Sequence, residues 1–146
     1  MQKEILFRGF HPCDGPDTIV ADGEKVKGEW VYGNLFVNKS TGQHMIIAPN
    51  KEIDLFDYMT VTPSTVGQWT GLADKNGKRI FENDIITTKY GRACKVTFKA
   101  LPSFCGFDLE PINGDYQKPD KYDLYLGVNL EVICTAFDEE AHNAQT

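Results

Sequence analysis

A chain of 146 residues is long enough for one domain with its own core, or one domain with a smaller appendage. Hydrophobic residues at 41% and charged residues at 25% describe a soluble globular protein, and a formal net charge of −6 weighs against a wholly electrostatic nucleic-acid binder. No apolar run approaches the ~20 residues that span a bilayer, and the first ten residues lack an apolar stretch with a cleavage site, so neither a membrane partner nor a signal peptide is expected and a cytoplasmic location is the default.

In chain order, "EILFRGF" alternates and reads as a strand, with Ile5 and Phe7 on one face and Leu6 and Arg8 on the other. Residues 11–28 are rich in Gly, Pro and Asp and read as a loop or loose hairpin. Glu29–Val37 and His44–Ala48 follow as strands joined by a turn at Lys39-Ser40-Thr41-Gly42. Between them and Trp69 the pattern is ambiguous: Asp54–Met59 fits a short helical turn, and Tyr58–Thr62 fits a strand that Pro63 ends. Asp84–Tyr90 is a strand candidate. In "RACKVTFKA", Cys94, Val96, Phe98 and Ala100 point one way and Ala93, Lys95, Thr97 and Lys99 the other, the mark of a half-buried antiparallel strand. "FCGFDLEPI" repeats this with Cys105, Phe107 and Leu109 inward. Tyr122–Leu126 and Leu130–Phe137 are further strands, and residues 139–146 form a polar, fraying tail.

Short strands with frequent turns and no long helix predict an all-β protein. Its second half, residues 71–138, is expected to close into a small antiparallel barrel. Residues 1–70 supply additional β-rich structure packed into the same structural unit.

The most patterned stretch is "QWTGLADKNGKRIFENDII", residues 68–86. A calcium loop starting at Asp74 would need Gly at its sixth position and Glu at its twelfth, where this chain has Arg79 and Ile85. A phosphate loop needs more glycines and a Lys-Ser/Thr step, and here Arg79 follows Lys78. A hairpin fits: Asp74 and Asn76 suit the turn, Gly77 supplies a positive φ, and Leu72 and Ile80 approach each other across it.

Through the run "TVGQWTGLADKNGKRIFENDII" the chain resembles the YopX family of phage and prophage proteins. "EILFRGF", "KGEWVYGNLF" and "LEVICTAFDEE" resemble the family's first strand, early aromatic segment and closing strand. Asn83 stands where the family usually has Gly before the Asp, a departure that could shift the turn. The resemblance implies a β-rich fold, makes the default cytoplasm that of a bacterial host, and carries over no established activity and no catalytic residues.

The four cysteines, Cys13, Cys94, Cys105 and Cys134, show no CxxC spacing and read as free thiols, with Cys94 and Cys105 in the core. His11-Pro12-Cys13-Asp14 holds a thiol and an imidazole together, but a Pro between loop residues does not secure a nucleophile–base pair. Cys13 with His11, Cys94 and Cys105 matches no common zinc spacing, so no metal or other cofactor is expected. The carboxylate pairs Asp54/Asp57 and Glu82/Asp84 read as solvated groups, with Asp84 suited to accept backbone N–H bonds in its turn. No nucleophile-elbow, zincin, dinucleotide or Walker pattern occurs, so no enzyme is expected.

Two binding readings remain. From Lys75 to Lys99 seven basic residues face only Glu82 and Asp84, about +5 inside an acidic chain. Lys78, Arg79, Lys89, Arg92, Lys95 and Lys99 would be the contacts to a nucleic acid, against the simpler reading of a solvated strand face whose lysines discourage edge pairing. The leading reading is a non-catalytic accessory protein that binds or self-assembles. "WVYGNLF" brings Trp30, Tyr32 and Phe36 close together as a candidate homo-oligomer interface.

Overall fold

The computed structural model describes residues 4–50, 52, 55–88, 93–112 and 130–138. Among them the protein is all-β: ten strands, one 3-10 turn and no α-helix. β1 (Phe7–Ala21) and β2 (Glu24–Val37) form a long hairpin reversed at Asp22 and Gly23, with φ of 53° and 80°. Positive φ at both central residues is the turn whose twist matches antiparallel strands. The segment 11–28 is therefore the hairpin of the two alternatives its composition allows. Its Gly/Pro content is absorbed in one place: Pro12 and Asp17 both register opposite Gly28, so residues 13–16 loop out of β1.

β3 (His44–Asn50) and β4 (Leu55–Val61) follow, then the 3-10 turn Pro63–Thr65, β5 (Gly67–Ala73) and β6 (Arg79–Phe81). The expected turn over 39–42 is present, with Gly42 at φ 76°. Leu55–Val61 is a strand, not a helical turn: Val61 is buried and Met59 packs inward, while Phe56 and Tyr58 face out. Asp54 lies outside the described residues. The strands order as β4-β3-β2-β1-β5-β6, with every neighbour antiparallel.

The chain divides into two compact units, Met1–Gln68 and Trp69–Thr146. In the first, Val31, Ile46 and Val61 are the buried centre, with Phe7, Leu35, Met59 and Val66 packed against them. The end of β4 is tied back to β1. The Thr62 N–H donates to Phe10 O at 2.9 Å, the Phe10 N–H donates to Thr65 Oγ1 at 2.9 Å, and His11 Nδ1 lies 2.6 Å from Thr60 O.

In the second unit, β7 (Asp84–Thr87), β8 (Ala93–Leu101), β9 (Phe104–Pro111) and β10 (Glu131–Thr135) form a sheet ordered β10-β7-β8-β9. Among the described residues the barrel expected for residues 71–138 is not formed: this sheet is open, and so is the six-stranded one. Four strands enclose too little space for side chains; a barrel filled by its own side chains needs about eight. The sheet instead buries one face, where Ile80, Ile86, Cys94, Val96, Phe107, Leu109 and Leu130 cluster with Leu72 and Val132. On the other face Ile85 and Ala136 are buried beside Ala93, Ile112 and Cys134.

The alternation expected in β8 and β9 holds only near this core. Cys94, Val96, Phe107 and Leu109 are buried, but Phe98 is 48% exposed and Cys105 is exposed. Burial therefore ends along the hairpin at the Phe98↔Phe107 pair: Phe107 is covered, while Phe98 meets its ring edge-on and keeps about half of its own surface in solvent. The strand expected over Asp84–Tyr90 ends at Thr87, and Tyr90, Tyr122–Leu126 and the tail from residue 139 lie outside the described residues.

Candidate interaction surfaces

Residues 67–86 are built as a scaffold. Thr70 is buried and its hydroxyl donates to Ile80 O at 2.8 Å, while Gly71 takes φ 88°. Trp69 registers with Phe81 and Ala73 with Arg79, the ladder shifting between them, and Leu72 packs against the cluster that holds Ile80, as the hairpin reading requires. In the turn, Asp74 Oδ1 accepts the N–H of Asn76 and of Lys78, both at 2.9 Å. Its Oδ2 accepts the N–H of Val132, 58 residues away, also at 2.9 Å. Burial of Asp74 works to raise its pKa. The N–H groups of Val132, Lys78 and Asn76, with the Lys78 charge, outweigh that and hold the carboxyl below its ordinary value. Gly77 sits at φ 81° with open space around it.

The departure at Asn83 leaves the turn intact. Its φ is 73°, in the left-handed region where Asn is the best-tolerated residue after Gly. Its N–H donates to Val96 O at 2.8 Å and its carbonyl accepts the Ala136 N–H at 2.7 Å. Asp84 is buried, and its Oδ2 accepts the Phe81 N–H at 2.8 Å, the turn role its position suggests. The conspicuous polar residues of this run are thus occupied in holding strands together. Among the described residues no group of three or more His, Cys, Asp or Glu side chains could hold a metal ion. No helix among them is long and apolar enough to cross a membrane.

The basic residues do not form one surface of free charge. The Arg79 guanidinium lies over the Trp69 ring at 4.8 Å, and Lys78 is exposed beside it in the turn. Lys95 is half-buried and registers directly opposite Glu110. Lys99 is ion-paired with Glu110, and Lys75 with Glu131 at 3.3 Å. The hydrogen bond to Glu110, then that carboxylate's charge, push the Lys99 pKa up; partial burial opposes them and the Asp108 charge adds. Lys89 and Arg92 lie outside the described residues.

The three aromatics of "WVYGNLF" separate. Trp30 is half-buried, its ring edge-on to Phe10 at 5.3 Å and under the Arg8 guanidinium at 4.9 Å. Tyr32 and Phe36 face outward, each 48% exposed. They are joined by residues the sequence reading did not single out. The registers Asn34↔Ile47↔Tyr58 and Phe36↔Met45↔Thr60 put these side chains opposite the inward row Leu35, Ile46 and Met59, and Phe56 lies one step along β4. Phe56 and Tyr58 are 61% and 65% exposed. The outward positions from Tyr32 to Phe36, Met45 to Pro49 and Phe56 to Thr60 carry no charge. The signal was present in "LFDYMTV", where both phases of the alternation are largely apolar, but the open helical alternative hid it.

A second uncharged surface is the far end of the β8–β9 hairpin. Ala100 registers with Cys105 and Leu101 with Phe104. Phe98 leans edge-on against Phe107 at 5.5 Å, and Leu101 is 55% exposed.

No curated protein matches the chain. Residues 23–140 match the family model described as YopX protein, a span that takes in the scaffold run, both uncharged surfaces' strands from β2 onward and β10, and the chain belongs to this phage-associated family.

Proposed function

We propose that this protein is a non-catalytic phage accessory protein that acts by association, in the host cytoplasm, through the outer face of β2, β3 and β4. The observation that carries the reading is the exposure of Tyr32, Phe36, Phe56 and Tyr58 on one uncharged sheet face of a chain that is otherwise a quarter charged. Contiguous apolar surface of this kind marks an interface, and tyrosine is enriched in interfaces because its ring is apolar and its hydroxyl tolerates water. Trp30 moves out of the interface expected from the sequence, because Arg8 and Phe10 already occupy its ring.

The test is light scattering across a concentration series with the wild type and Tyr58→Lys. The wild type should exceed the monomer mass of 16.4 kDa and the variant should fall toward it. A wild type that stays at monomer mass throughout overturns the reading. Nucleic-acid binding through Lys78, Arg79, Lys95 and Lys99 is the weaker alternative, since the Lys99 charge is neutralised by Glu110 and Lys95 faces the same carboxylate. Fluorescence anisotropy with single-stranded and duplex oligonucleotides at two salt concentrations distinguishes it, because phosphate-driven binding weakens steeply with salt.

A further inference from the structure

The first unit carries an uncharged aromatic face, and the second an uncharged hairpin end. We infer that these two surfaces are each other's partners between copies: the end of the β8–β9 hairpin from Ala100 to Cys105, with Phe98 on the face beside it, docks in one copy on the Tyr32/Phe36/Tyr58 face of the next. The inference rests on the association proposed above and deepens it by naming the occupant of the face.

Two observations favour a second copy joined head to tail. The first is that both surfaces are apolar and exposed in one chain. A symmetric face-to-face dimer would cover the aromatic face and leave Phe98 and Leu101 in water at 48% and 55% exposure. A contact between unlike patches covers both with one kind of interface, repeated. The second is charge. From Ala100 to Phe107 the hairpin end is eight residues without a charged side chain, in a chain with 36 Lys, Arg, Asp and Glu residues among 146. The outward positions of β2, β3 and β4 that it would meet are uncharged as well, and Arg8, which registers opposite Tyr32, is already buried over the Trp30 ring, so docking brings no exposed ion into an apolar interface, where an unpaired charge is costly.

The area is sufficient. A fully covered aromatic side chain removes 150–250 Å² from water, so four half-exposed rings offer roughly 400 Å², and the two large side chains of the hairpin end roughly 200 Å² more. With a polar rim in the usual proportion, full coverage of both patches reaches about 1,000 Å² of total surface, the lower bound for a specific interface. The hairpin end also suits insertion. Its backbone groups pair within the Ala100↔Cys105 and Leu101↔Phe104 ladder, and none of its residues from Phe98 to Gly106 belongs to the buried cluster that anchors the sheet. An unlike-patch contact closes into a ring or extends as a filament according to the rotation it imposes.

The experiment uses two single variants of the full chain, Tyr58→Lys on the face and Leu101→Lys on the hairpin end, both at exposed positions, with thermal melts as the folding control. If either melts early, Phe36→Ser or Leu101→Ser replaces it. Each variant alone should dissociate to monomer, its self-association weakened about thirtyfold or more, as expected for an interface anchor. Mixing them should yield a one-to-one pair, because each contributes the intact patch the other lacks. Loss of assembly with Tyr58→Lys but wild-type assembly with Leu101→Lys would overturn the head-to-tail contact and leave the association reading standing. Loss with Leu101→Lys alone, or no pair on mixing, would also overturn the contact. A monomeric wild type would overturn both.

Discussion

Replacing Asp74 with alanine should be among the most damaging polar substitutions in the second unit. Three N–H groups converge on its carboxylate, from Asn76, Lys78 and Val132, all at 2.9 Å. Hydrogen bonds to a charged group contribute about 1.5–3 kcal/mol each when measured by deletion. The two turn donors are beside solvent and water replaces much of their loss, about 0.5–1 kcal/mol apiece. The Val132 N–H belongs to β10, and leaving it unsatisfied costs about 1–3 kcal/mol. The sum is about 2–5 kcal/mol, or on the order of 10 °C in melting temperature for a chain of this size. Asp74→Asn should cost less, about 2 kcal/mol, because Oδ1 keeps its two donors while an amide N–H₂ meets the Val132 N–H.

Both effects depend on pH in a set direction. The folded carboxyl has its pKa lowered from 3.8, so its contribution is complete above that ordinary value and is lost as pH falls through the lower folded value. The wild-type advantage over Asp74→Asn should therefore be constant near neutrality and shrink below about pH 4. Urea denaturation at pH 7 and at pH 3 measures it. An Asp74→Ala variant within about 1 kcal/mol of wild type at pH 7 would refute the role of this carboxylate as the link between the turn and β10.

Gly77→Val should cost about 1–2 kcal/mol in a thermal or urea melt; nothing lies within 4 Å of an added Cβ, so the penalty is the φ of 81° alone. Asn83→Gly should leave stability within about 0.5 kcal/mol, whereas Asn83→Val should cost about 1–2 kcal/mol at φ 73°, and the same melts decide between them. A thiol reagent added to native protein should label Cys13 and Cys105 quickly and Cys94 only on unfolding; rapid labelling of Cys94 would contradict its place in the core.

Local chemistry made much of this fold legible. The turns at 39–42 and 74–78, the strand phase of β8 around Cys94 and Val96, and the role of Asp84 all follow from residue type and spacing, because each is decided by neighbours a few positions away. What was hidden depends on distance along the chain. No pattern in "RACKVTFKA" reports how far along the strand burial extends, so Phe98 and Cys105 read as core. Likewise, the second oxygen of Asp74 meets Val132 at a separation no turn motif encodes. The residues of the proposed interface were half legible. Tyr32 and Phe36 stood out as aromatics, but Trp30 was indistinguishable from them until Arg8 and Phe10 were seen against it.

The bonds that tie the end of β4 back to β1 also govern when the first unit can form. The β1–β2 hairpin needs only residues 7–37, and its turn can start it early. Phe10 and His11, however, await Thr65 and Thr60, 55 and 49 residues onward. On a ribosome adding ~5–20 residues per second, the hairpin waits several seconds with Phe10 lacking its final partners. Closure over such separations is the slow kind of β-sheet folding. The exposed interval falls on the host's chaperones, and a destabilised turn at Pro63–Thr65 would lengthen it before it altered the finished protein.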